Sequence, residues 1–138
     1  MDYFSTLEEI LLTSEPKHKI EKFRVFYKNF LDNNFIMNDS YEPYTLEKPS
    51  YHSFLEIVKP TDLPPIKNFK SIEGKKYLVH TILHIEYSAI DLALDAAIRY
   101  KNMPLGFYKD WLEVADDEIR HFLMLEKLLT EIDGKYGD

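Results

Sequence analysis

The sequence predicts an all-α fold, a helical bundle. Three observations predict it: four glycines in 138 residues, two long stretches whose apolar residues recur at helical spacing, and cap signals where those stretches start and stop. Glycine supplies tight turns, so its scarcity disfavours a turn-rich sheet protein. The length suits one domain, residues 1–138, with a core of its own.

The elements follow in order. Ser5-x-x-Glu8 after Phe4 reads as a capping box that opens a short helix to about Thr13. Pro16 suits a first helical turn, and the stripe Ile20, Phe23, Tyr27, Phe30, Leu31 carries a second helix to Asn33-Asn34. This helical N-terminus spans about 5–33. From about 38 to 73 the periodicity disappears, and five of the seven prolines fall there. Each removes a backbone donor and holds its predecessor extended. Tyr41, Tyr44, Tyr51, Phe54 and Phe69 mark the segment as an ordered, proline-rich arm anchored by aromatics.

Two long helices are expected over about 74–132. The first runs from about Gly74 to Lys101 with the stripe Val79, Leu83, Ile90, Ala93, Leu94, Ala97. Asn102-Met103-Pro104 ends it. The second runs from about Leu105 to Ile132 with Trp111, Val114, Ala115, Phe122, Leu125, Leu128, Leu129, and Gly134 as its stop. The short connection makes the two antiparallel neighbours.

Charge and composition exclude several function classes. A net charge of −7 with lysines scattered among carboxylates argues against a nucleic-acid partner. The absence of cysteine rules out disulfides, thiolate catalysis and Cys-held zinc or iron–sulfur centres. Met1-Asp2-Tyr3-Phe4 lacks the basic-then-apolar order of a secretory signal, and no apolar run is long enough to span a bilayer. The expectation is a soluble cytoplasmic protein without membrane contact.

Three residues break the apolar pattern. Glu86 follows Leu83 by three positions and precedes Ile90 by four, so it points with the apolar residues. Glu118 falls between Ala115 and Phe122, and His121 lies one turn further. A carboxylate on such a face costs several kcal/mol unless a metal, a cation or a hydrogen-bond network meets it. Glu-x-x-His at three-residue spacing lets both side chains reach one ion, and with a glutamate from a facing helix it matches the ligand pattern of dimetal carboxylate bundles. Carboxylate oxygens with one imidazole suit iron or manganese and leave positions open for oxygen. The alternative is a buried polar network, with Glu86 or Glu118 paired to Arg99, Arg120 or a histidine. A second Glu-x-x-His at Glu15–His18 sits at a helix start, off the stripe, and reads as a solvated cap. His80 and His84 flank the stripe one turn apart. With Tyr87 and Asp91 they are candidates to bond the ligands from outside, and each also reads as ordinary packing or solvent-facing polarity.

The run from His80 through His84, Glu86 and Asp91 to Asp95 resembles the signature of an uncharacterised bacterial ferritin-like family. So does the run from Met103-Pro104 through Phe107, Trp111 and Glu118 to His121-Phe122. The resemblance covers roughly Pro49 to Asp138 and only loosely the first forty residues. It implies a ferritin-like bundle with Glu86, Glu118 and His121 as metal ligands and no organic cofactor. Members of that family are about twice this length, their second half supplying a further carboxylate and acid–histidine pair. This chain then presents a half-bundle: two long helices, the N-terminal helices and the arm. Either a homodimer through the apolar faces of the long helices completes the site, or the chain is a truncated product with an incomplete site and a bare apolar face.

Three functions compete: an oxygen-activating dimetal oxidase or hydroxylase-like protein, a metal storage or binding protein, and a non-catalytic helical interaction module with a vestigial site. No catalytic residue, substrate or native metal is legible.

Overall fold

A computed structural model describes residues 1–38, 71–132, 134 and 136. Among these the chain forms four helices: α1 (Tyr3–Leu12), α2 (Pro16–Leu31), α3 (Ile72–Arg99) and α4 (Leu105–Glu131). The expected all-helical architecture is present. No helix among the described residues is long and apolar enough to cross a membrane. The expected arm of about 38–73, with the aromatics expected to anchor it, lies outside the described residues except at its two ends.

The start of α1 corrects the sequence reading. Asp2, not Ser5, is the N-cap; its carboxylate accepts from the Ser5 N–H at 3.0 Å. Ser5 already lies inside the helix, its hydroxyl bonded back to Asp2. Asp2 also sits in a one-residue parallel bridge to Ile36, closed by Tyr3 N–H to Ile36 O at 2.9 Å and Ile36 N–H to Met1 O at 2.8 Å. This pins the chain after α2 beside the start of α1. The cap of α2 is as expected: Pro16 occupies its first turn and the Glu15 carboxylate accepts from the Lys17 and His18 N–H groups. α2 then ends through Asn33, whose φ of 58° is the left-handed conformation asparagine tolerates.

α3 starts two residues earlier than Gly74, because the Ser71 hydroxyl accepts from the Gly74 N–H at 3.0 Å. It stops at Arg99, and Asn102, also at φ 58°, turns the chain into α4. Two tyrosines satisfy orphan carbonyls at this end. Tyr3 OH donates to Ala97 O at 2.9 Å and Tyr108 OH to Tyr100 O at 2.7 Å. α4 ends on a bond from the Gly134 N–H to Leu129 O at 2.8 Å. A Cβ on Gly134 would crowd the buried Leu129 side chain, so the close approach favours glycine.

α3 and α4 form the most extensive helix pair, and α1 and α2 cover one side of it. The core joins all four helices. Tyr3 stands at its centre, edge-on to Phe4 at 5.0 Å and to Tyr108 at 5.2 Å. Beside it, Lys19 is fully buried and its ammonium donates to Asp91, 5.3 Å from the Tyr87 ring centroid. This ion pair ties α2 to α3. Burial lowers the Lys19 pKa, and Asp91 only partly offsets it.

Candidate metal centre

The buried face of α4 is Tyr108, Leu112, Ala115, Ile119, Phe122 and Leu129. That corrects part of the expected stripe: Trp111, Val114 and Leu128 are exposed. The helix carries two apolar stripes side by side, about one residue's rotation of 100° apart. The expected stripe mixed them. Glu118 and His121 belong to the outer one, with Trp111, Val114, Leu125 and Leu128. On α3, Glu86 likewise stands at the border between core residues Leu83 and Ile90 and the solvent side. Both glutamates are half-buried, and His121 is 53% exposed.

The structure brings the three predicted ligands together. One ligand atom from each of Glu86, Glu118 and His121 lies within 4.8 Å of the others. His121 Nδ1 stands 3.8 Å from Glu86 Oε2 and 3.8 Å from Glu118 Oε2, too long for hydrogen bonds. Glu86 Oε2 is buried with no hydrogen-bond partner among the described residues. The Glu118 carboxyl is pushed up, first by the Glu86 carboxyl within hydrogen-bonding reach of it, then by burial and by the Glu86 charge; His121 opposes the shift. Two carboxylates this close cannot both be charged cheaply without a cation.

The polar-network alternative fares differently for each partner. Arg99 is bonded to Asp95 at 2.7 and 2.9 Å, and Arg120 to Asp117 with Asp116 nearby. Of these named partners only a histidine, His121, stands beside the two glutamates among the described residues. Of the outer candidates, Tyr87 donates its hydroxyl to Ser14 O at 3.0 Å, and Asp91 accepts from Lys19. Tyr87's one proton is thereby committed away from a ligand carboxylate. His84 Nδ1 lies 3.0 Å from the Tyr136 hydroxyl, and His80 packs against the Tyr136 ring at 5.3 Å. Burial, with His80 nearby, lowers the His84 pKa. Glu15–His18 is the exposed cap expected of it.

Two participants were not anticipated. Lys19 carried a readable signal, since it shares the buried face with Phe23, Phe26 and Phe30 at helical spacing. Tyr136 carried none, because nothing in its sequence neighbourhood sets its direction.

The family model described as "Protein of unknown function (DUF455)" matches residues 12–138. An "Uncharacterized protein" of Haemophilus influenzae is 32% identical over 146 residues, covering 99% of this chain and 50% of that protein. The chain thus spans about half the length of the curated relative it matches. No solved structure matches.

Proposed function

The chain belongs to the DUF455 family of unknown function, and on that premise we propose that it is a ferritin-like carboxylate protein that binds iron or manganese through Glu86, Glu118 and His121. The observation that carries this reading is the buried Glu86 Oε2, without a hydrogen bond among the described residues, facing a second carboxylate and an imidazole. Such an orphaned acceptor is costly, and a cation is the group that would satisfy all three side chains at once. The donor set fits the metals named: hard oxygens with one nitrogen, too few to fill the coordination of either ion.

Glu86 from α3 and Glu118 from α4 would supply negative charge from opposite sides, and His121 a neutral nitrogen. A bound redox-active ion would supply electron-transfer chemistry toward dioxygen, the basis of an oxidase or hydroxylase-like role; storage would use the same ligands without an organic substrate. The half-buried setting keeps the carboxylates partly dry, which strengthens their hold on a cation.

Metal titration tests the reading. Wild-type protein is expected to bind Mn2+ or Fe2+, and Glu118→Ala and His121→Ala to weaken binding by more than ~10-fold, since even groups one bond removed from an ion cost ~10–100-fold. Unchanged affinity in both variants would sink the ligand assignment. It would leave the interaction-module reading, which the exposed apolar stripe beside the site favours.

A further inference from the structure

Resting on the metal reading above, we propose that Tyr87 is a positioning residue of the centre: its ring, packed on Phe122, sets the register of α3 on α4 that lets Glu86 meet Glu118 and His121.

The three candidate ligands come from two helices, so their meeting depends on how α3 and α4 are seated on each other. Each helix carries a ligand and an aromatic ring at consecutive positions, Glu86 with Tyr87 and His121 with Phe122. Consecutive residues on a helix point about 100° apart. On both helices this turns the ligand outward and the ring into the core. The two pairs then face each other. The Tyr87 and Phe122 ring centroids lie 5.5 Å apart, and beside them His121 Nδ1 stands 3.8 Å from Glu86 Oε2. The ring contact is sealed in the core, while the polar contact is part-open to water. A close-packed interior transmits displacement instead of absorbing it, so the ring contact fixes the spacing of the polar one.

Tyr87 is itself braced. Its hydroxyl donates to Ser14 O at 3.0 Å in the link between α1 and α2, and the Lys19 ammonium of α2 lies 5.3 Å from its ring centroid. Tyr136 packs on it at 5.7 Å and meets Phe122 edge-on at 5.4 Å, closing a triangle of rings behind the ligands. The N-terminal helices thereby steady the turn of α3 that carries Glu86. With its proton given to Ser14, Tyr87 acts on the ligands through the seat of its ring. Donors to an ion work when held within about 0.5 Å of their productive geometry, and a smaller side chain at either ring lets α3 resettle on α4.

Mn2+ titration of the full chain, at a temperature where every variant is folded by circular dichroism, tests this. Tyr87→Leu and Phe122→Leu are each expected to weaken Mn2+ binding by about 10-fold, the order of loss when a group behind a ligand is removed. Tyr87→Leu/Phe122→Leu should bind little worse than either, because each change already breaks the one contact. Tyr87→Phe keeps the ring and should bind as wild type does. Leu94→Ala opens a cavity two turns further along α3 and should lose stability without losing affinity. Unchanged affinity in both leucine variants, equal losses in Leu94→Ala and Tyr87→Leu, or a Tyr87→Phe as weak as Tyr87→Leu overturns the positioning role and leaves the metal reading standing. If Tyr87→Leu does not fold, Phe122→Leu against Leu94→Ala decides in the same way. Absence of Mn2+ binding by wild type overturns the metal reading and the positioning role with it.

Discussion

The Tyr3 hydroxyl lies in the core, bonded to a carbonyl in the last turn of α3. Burial, aided by Tyr108, pushes its pKa well above the ordinary value of 10.0. Above that value the unfolded chain releases this proton while the folded chain keeps it. The folded state then holds more protons, so stability falls as pH rises. Tyr3→Phe is expected to cost about 1 kcal/mol at neutral pH through the lost hydrogen bond. It should also flatten the decline above pH 10, as read by urea denaturation at paired pH values. At this scale the trio of candidate ligands was the most legible feature of the sequence. Charged residues at apolar spacing advertise a need for partners, and Glu86, Glu118 and His121 do meet. What the spacing could not disclose was depth. Glu118 has apolar neighbours in sequence on both stripes of α4, and only the position of α3 decides which stripe goes inside.

Between elements, the bond between Lys19 and Asp91 is the buried ionic link, and its worth is measured by breaking one side. Lys19→Met removes the ammonium from which Asp91 accepts and should cost ~3–5 kcal/mol, whereas Lys19→Met/Asp91→Leu should return to about wild-type stability or beyond. Denaturation midpoints of the two variants check this; equal losses in both would show that the pair contributes chiefly by packing. The long helices and their antiparallel turn were readable because period, cap and loop length agree. Boundaries slipped by two residues where a better cap lay nearby, Asp2 ahead of Ser5 and Ser71 ahead of Gly74. The lysine went unread for a different reason. Its long stem usually carries the charge to water, and here Asp91 on another helix, with the Tyr87 ring nearby, makes burial tolerable.

For the whole molecule, the two sides of α3 should respond in opposite ways. Leu83→Ala opens a cavity in the core and should cost ~2–5 kcal/mol. Leu92→Ser touches an exposed position and should change the stability of the monomer by less than ~0.5 kcal/mol. Thermal unfolding of metal-free protein compares them, and a large loss at Leu92 would mean that its side of α3 is already covered. The sequence could show that α3 is apolar on most of its circumference. It could not show which side meets α1 and α2, because that depends on aromatic packing between distant segments.

Trp111 is the sole tryptophan, and it stands on the outer stripe of α4, partly exposed. Glu118 follows it by two helical turns, roughly 10 Å along the axis. The protein therefore carries its own optical reporter beside the cluster. Anything that covers this face should shift the indole emission to shorter wavelength and shield it from a soluble quencher. The occupancy of the open side can then be followed in dilute solution, without a label and without altering a single residue.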